Sequence, residues 1–231
     1  MSTFQFVTPS DGARPWAGLV LSGSTLYGTT RGGGSSGEGT VFKVNTNGTG
    51  YTVLIRFAAN GHPYAGLVLC SNELYGTTFG DTMVPTAPGF GIVFKVATNG
   101  TGFTELKDFD DNSGSDGMNP VGGLVLNGST LYGTTSGSGY SGGTVFKVNT
   151  NGADFTVLKR FTNSPDGANP AANLVLDGSM LYGTTCWGGS SSNGVVFKVD
   201  TNGTGYAILK SFSALSNGTN SDGRDPLGGW C

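Results

Sequence analysis

The sequence predicts an all-β chain built from repeated four-stranded antiparallel sheets, and three observations lead there. The pentapeptide "LYGTT" begins at Leu26, Leu74, Leu131 and Leu181, and "VFKV" begins at Val41, Val93, Val145 and Val196, spaced by 52, 52 and 51 residues. Turn signals fall where hairpins need positive φ: "SGS", "NGS" and "DGS" before the Leu-Tyr-Gly runs, and "TNG", which predicts a tight Asn-Gly turn, after the Phe-Lys-Val runs. No stretch combines an apolar stripe of helical period with caps at its ends. Four short strands repeated about every 50 residues are the pattern of a β-propeller blade.

Each unit holds four strand candidates in a fixed order. The first is the apolar "LVL" starting at Leu19, Leu67, Leu124 and Leu174. The second is the "TLYGTT" run and the third the "GTVFKV" run. The fourth alternates and ends in Phe, as in "YTVLIRF", "FTELKDF", "FTVLKRF" and "YAILKSF". Apolar residues at successive positions in the first three fit sheets covered on both faces by their neighbours. The units span residues 8–57, 58–109, 110–161 and 162–212 of a single domain, with terminal segments 1–7 and 213–231. The ends break the pattern. "FVTPSDGARP" aligns without gaps to "FTNSPDGANP", placing Phe6 opposite Phe161, so the chain opens on a fourth-type strand. The closing "SDGRDPLGGWC" reads as the approach to another first-type strand, with Trp230 in the leucine position. Four blades with a terminal strand at the seam are the simplest arrangement; a five-bladed ring and a piece of a larger array are the alternatives.

Composition removes several classes of function. Charged residues are 12% of the chain, about half of the roughly 25% usual in soluble domains, and the formal charge is −3. Such a chain has no basic field for nucleic acid. No run approaches the ~20 apolar residues of a membrane span, and "MSTFQF" lacks the regions of a secretory signal. Cys70, Cys186 and Cys231 have no metal-ligand spacing; at most one pair can bridge, and Cys186 with Cys231 is the candidate pair if both lie on the long-loop face.

The runs "AGLVL", "LYGTT" and "GTVFKVNTNGTG" resemble the GloVer tandem-repeat family of bacterial exported or surface-anchored proteins, and the resemblance spans nearly the whole chain. More distantly, each unit is similar to a blade of the quinoprotein-type propellers, without their site residues. The GloVer resemblance implies an extracellular or cell-surface setting and no established activity.

Two sets of loops in a propeller emerge on one face, joining the second strand to the third and the fourth to the next first. Here they are long and differ from unit to unit ("RGGGSSGE", "FGDTMVPTAPGF", "SGSGYSG", "CWGGSSSN"), whereas the other face carries repetitive turns. Variable loops on a repeated scaffold are where binding residues normally sit. The Gly/Ser stretch after Arg31 opens no helix and is followed by no Gly-Lys-Ser/Thr, which rules against a phosphate loop. His62 is the only histidine and lies just before a Pro, where other units place Arg14, Asn119, Asn169 and Asp225; an exposed loop residue is the plain reading. With one histidine and almost no carboxylates on the inner strands (Glu73 excepted), hydrolytic chemistry has few parts to use, and a non-catalytic chain is expected.

The candidate ligand-binding residues are Asp11, Trp16, His62, Tyr64, Asp116, Tyr140, Asp166 and Trp187. The aspartates recur before Gly, suiting either Asx turns or a ring of acceptors for sugar hydroxyls. The aromatics break the repeat and could stack on sugar rings. No cofactor is required; calcium at "DDNSGSDG" (Asp110 to Gly117) is a weaker alternative, because the twelve-residue calcium-loop pattern is missing. The lysines Lys43, Lys95, Lys147 and Lys198 recur in every "FKV" and are expected to pack their stems, with heads in solvent or over a ring. The expected partner is a glycan, with a structural or adhesive module contacting a surface protein as the alternative; the terminal seam offers a route to oligomers.

Overall fold

The computed structural model describes residues 10–58, 61–80, 89–109, 115–137, 142–214, 220–223 and 226. Among them are sixteen strands and no helix, arranged as four antiparallel sheets of four. Blade 1 holds β1 (Val20–Ser22), β2 (Thr25–Thr30), β3 (Thr40–Asn45) and β4 (Thr52–Arg56). Blade 2 holds β5 (Val68–Cys70), β6 (Glu73–Thr78), β7 (Ile92–Ala97) and β8 (Thr104–Asp108). Blade 3 holds β9 (Val125–Asn127), β10 (Thr130–Thr135), β11 (Thr144–Asn149) and β12 (Thr156–Arg160). Blade 4 holds β13 (Val175–Asp177), β14 (Met180–Thr185), β15 (Val195–Asp200) and β16 (Ala207–Ser211). Strands pair in chain order, as the repeat predicts.

Register sorts the residues onto two faces. In blade 3, Leu131 opposes Val148 and Gly133 opposes Phe146 on one face, while Tyr132 opposes Lys147 and Thr134 opposes Val145 on the other. The same pairs recur in blades 1, 2 and 4. Each third–fourth strand pair shifts register at the same point, between Val145 and Phe146 or its equivalent, which adds twist to the outer edge.

The first hairpin of each blade has a two-residue turn whose leading residue takes positive φ: Gly23, Gly128 and Gly178, but Ser71 in blade 2. The second hairpin differs from the tight Asn-Gly turn expected. Six residues separate β3 from β4, because the Asn47 side chain accepts the backbone N–H of Thr49 at 3.0 Å and forms its own Asx turn. Asn99, Asn151 and Asn202 do the same.

Blades stack through three apolar clusters, one at each junction from blade 1 to blade 4. The trailing face of one blade offers its Tyr and Val (Tyr75 and Val93, for instance), and the leading face of the next offers Leu, Leu, Phe and Val (Leu124, Leu131, Phe146, Val148). The Phe that follows each fourth strand crosses the junction: Phe109 meets Phe146 edge-on at 5.3 Å and Phe155 at 5.9 Å. The glycine of Leu-Tyr-Gly is required by this packing. A Cβ on Gly133 would lie 2.6 Å from Phe146 Cζ and 2.9 Å from Leu124 Cδ2. Hydroxyls of the Gly-Thr-Thr runs also bridge blades, Thr29 donating to the Ala65 carbonyl at 2.9 Å and Thr77 to the Gly122 carbonyl at 3.3 Å. Phe6, Trp230 and Cys231 lie outside the described residues.

Candidate functional site

The long loops converge because the residue before each Pro ties three segments together. Arg14, His62, Asn119 and Asn169 all sit at φ between 57° and 61°, a left-handed conformation that suits Asn and His better than Arg. From there the Asn119 N–H donates to the Phe90 carbonyl at 2.7 Å, and its own carbonyl accepts the Ser136 N–H at 3.0 Å. His62 and Asn169 make the equivalent pair of bonds. The following Pro covers the glycine that opens the third strand: a Cβ on Gly143, at φ +85°, would lie 2.7 Å from Pro170 Cδ. Backbone geometry common to the blades thus presents different side chains on one face.

Around blades 1 and 2 those side chains are Trp16, Tyr64, Arg31 and His62. The Arg31 guanidinium lies 4.9 Å from both the Trp16 and the Tyr64 ring centres, a double cation–π contact that the repeat pattern did not suggest. His62 is half-buried rather than an exposed loop residue. Its Nδ1 donates to the Arg31 carbonyl at 2.9 Å, so Nε2 faces Glu38 Oε2 at 3.5 Å. Tyr64 continues to Phe79, edge-on at 5.2 Å, and both pack against an apolar cluster of Val121, Ala171 and Cys186. Cys186 is disulfide-bonded and Cys70 is free; Cys231 is outside the described residues.

Beyond Phe79 a cleft of about 210 Å³ opens across blades 2, 3 and 4, lined by Phe79, Asn119, Ser136, Asn163, Asn169 and Trp187 among others. Trp187 is half exposed, whereas Asn119 is only 6% exposed. The Oδ1 atoms of Asn119 and Asn169 are buried and accept no hydrogen bond from any described residue. An unmet buried acceptor costs about 1–3 kcal/mol, and both asparagines line the cleft. A larger cleft of about 470 Å³ lies at the outer rim between blades 1 and 2, among Leu54, Ile55, Phe57, Ile92 and Phe103. It is mainly aliphatic and aromatic, with Arg56 and Glu105 on its wall.

Of the candidate aspartates, Asp116 and Asp166 are placed elsewhere, in ion pairs toward the blade rims, as is Asp222 of the equivalent loop. Lys107 Nζ lies 2.6 Å from Asp116, Lys159 pairs with Asp166, and Lys210 lies 2.6 Å from Asp222. These lysines belong to the fourth strands. They also make cation–π contacts, Lys107 over Phe155 at 4.7 Å and Lys159 over Tyr206 at 4.4 Å. The Asp11 backbone carbonyl accepts the Tyr51 hydroxyl. Tyr140 lies outside the described residues, as does much of Asp110–Gly117.

The pairs leave a trace in acid stability. Burial alone would raise the Asp166 pKa, but hydrogen bonds from Lys159 and Thr162 outweigh it and hold the carboxyl below its ordinary value. Asp222, bonded by Lys210 and Ser213, falls to about 2 from 3.8. Because the folded values are depressed, this stabilisation is present above the unfolded pKa and lost as pH falls from 3.8 toward 2. Thermal melts are expected to show the midpoint dropping through that window, with a smaller drop in a Lys159→Met, Lys210→Met variant; an equal drop would rule these pairs out as the cause.

The family model for the Gloeobacter/Verrucomicrobia repeat matches residues 61–229. No curated protein matches the sequence. Among solved structures, a nidogen/laminin complex is similar at TM-score 0.56 and 16% identity, over 81% of this chain and 61% of that one. An oligogalacturonate lyase in complex with manganese gives 0.54 and 15%, over 84% and 52%. A TolB protein from Agrobacterium tumefaciens gives 0.50 and 12%, over 81% and 61%. The chain therefore spans about half to three-fifths of the length of these chains, and at such identities the likeness concerns the propeller fold alone. The four blades, their Leu-Tyr-Gly and Phe-Lys-Val strands and the family match over most of their length lead to one conclusion: this chain belongs to the Gloeobacter/Verrucomicrobia repeat family.

Proposed function

We propose that the chain is a non-catalytic, extracellular or cell-surface binding module whose ligand is a neutral glycan held on the long-loop face. The observation that supports this reading is the cleft between Phe79 and Trp187, where two buried amide carbonyls, on Asn119 and Asn169, accept no hydrogen bond from the described residues. A sugar ring offers both an apolar face for an exposed indole and hydroxyls for those acceptors. Asn119 and Asn169 replace the aspartates as the polar core of the site, because Asp116 and Asp166 are engaged by lysines. The cleft is shallow, so a single sugar should bind near the millimolar level, about −4 kcal/mol. Surfaces bearing many copies should be retained far better than free sugar. Salt should matter little, since the Asn119–Trp187 cleft is lined by uncharged side chains.

A glycan-array screen followed by titration tests the reading. Trp187→Ala is expected to weaken binding about tenfold or more, roughly 1.4 kcal/mol or above, with an unchanged fold because the indole is half exposed. Asn119→Gly, which keeps the left-handed backbone, should weaken it likewise. If no glycan surface is retained, or both variants bind as wild type does, the structural or adhesive module becomes the better reading.

A further inference from the structure

The junctions between consecutive blades share an aromatic pair at the outer rim, and two of them cover it with a lysine. Phe109 and Phe155 meet edge-on at 5.9 Å and 77°, Phe161 and Tyr206 at 6.1 Å and 78°, and Phe57 and Phe103 at 6.1 Å and 73°. Lys107 Nζ lies 5.7 Å and 4.7 Å from the ring centres of the first pair, and Lys159 Nζ 5.6 Å and 4.4 Å from those of the second. Each ammonium is also paired with an aspartate, Asp116 or Asp166. Between blades 1 and 2 the register puts Ile55 in the lysine position, opposite Val41 as Lys107 is opposite Val93. The aspartate is replaced in the sequence by Asn60. This ring pair is built like the other two but has no lysine of its own, and it lines the rim cleft of about 470 Å³.

The opposite wall of that cleft supplies a negative charge. Glu105, on β8, pairs in register with Phe94, and the same position holds Val157 in blade 3 and Ile208 in blade 4. A carboxylate takes this position only at the junction that has neither the lysine nor the aspartate. Glu105 is exposed, and no ion pair among the described residues engages it. Arg56 is also on the wall, where its Nε donates to the Ser10 carbonyl at 3.1 Å. Arg160 donates in the same way to the Ser115 carbonyl, at 2.9 Å, next to Lys159 in the chain. An arginine in this position is thus compatible with an ammonium over the rings.

We propose that this cleft takes the side chain of a lysine on a partner protein. Its ammonium lies over Phe57 and Phe103 and toward Glu105, in the place that Lys107 and Lys159 hold at their own junctions. Ring faces and carboxylate then act on one cation, while the stem packs on the apolar wall. The cleft opens between β4 and β8, each the outermost strand of its sheet. An outermost strand leaves a backbone edge that a polypeptide, unlike a free amine, can pair with. The proposal does not depend on glycan binding, which uses the separate cleft between Phe79 and Trp187.

An end-blocked Gly-Ser peptide with one central lysine, titrated into nitrogen-labelled protein, tests it. The backbone amides of Phe57, Phe103 and Glu105 are expected to shift along one saturable curve, and added salt should weaken the binding. The same peptide acetylated at the lysine Nζ should bind at least tenfold more weakly for want of charge. Free n-butylamine should do so for want of a backbone. Ile55→Lys, which restores the residue found at the other junctions, should abolish binding by filling the cleft from within. Glu105→Gln should weaken it at least tenfold, and Trp187→Ala should leave it unchanged. No shift at these amides, or binding by the acetylated peptide or butylamine as tight as by the lysine peptide, would overturn the proposal. So would wild-type affinity in Ile55→Lys or Glu105→Gln, or loss of binding in Trp187→Ala.

Discussion

Replacing Phe146 with Ala is expected to lower the free energy of unfolding by about 3–5 kcal/mol. The ring is fully buried, meets Phe109 edge-on and Phe155 at a tilt, and its tip lies against Gly133. Gly133→Ala approaches the same contact from the other side. Its added Cβ would stand 2.6 Å from Phe146 Cζ, and overpacking of this kind costs about 1–3 kcal/mol. Substitutions that share one contact are not additive. Gly133→Ala should therefore cost less in a Phe146→Leu background, where the ring tip is gone. Urea melts of the four proteins check this, and equal costs for Gly133→Ala in both backgrounds would contradict the geometry.

The second large effect concerns Cys186. Its side chain is 1% exposed and disulfide-bonded, and it packs with Val121 and Ala171 where loops of three blades meet. With Cys70 free, the expected bridge is to Cys231. Closing a loop of that length should contribute about 4 kcal/mol by restricting the unfolded chain, in the chain-entropy account. Reduction, or Cys231→Ser, should lower the melting temperature, and the intact oxidised chain should weigh less than the reduced one by two hydrogens. A melting temperature insensitive to reductant would count against any role for the bridge in holding the last blade.

Much of the fold could be read before any coordinates, for a physical reason. A sheet buried on both faces needs apolar residues at successive positions, and the repeat displays that need four times, so the four sheets and their strand order follow. The second hairpin turn was harder to read. "TNG" suits a tight turn, but the Asn47 side chain satisfies the Thr49 N–H and lengthens the connection. The Lys–Asp pairs carried a signal that went unused. Lys107, Lys159 and Lys210 are followed by Asp116, Asp166 and Asp222, whereas blade 1 has Ile55 in the lysine position and Asn60 in place of the aspartate. That covariation within one chain marks the aspartates as ion-pair partners.

The candidate site was legible only in outline. The sequence pointed to the long-loop face and picked out Trp16, Tyr64 and Trp187, because aromatics that break a repeat stand out. Arg31 did not stand out, since its contacts with Trp16 and Tyr64 join loops distant along the chain. Asn119 and Asn169 were recognisable as residues preceding Pro, yet only the assembled loops bring their unmet carbonyls to one cleft.

The most direct measurement for the binding account is a titration followed by nuclear magnetic resonance, with a neutral oligosaccharide added to protein labelled at all its nitrogens, so that backbone amides are seen with the side-chain amides and indoles. The account expects the Asn119 and Asn169 amides and the Trp187 indole to shift together along one binding curve, while the ion-paired Asp116 and Asp166 loops stay still. Shifts confined to the aspartate loops, or none at any concentration reached, would contradict it.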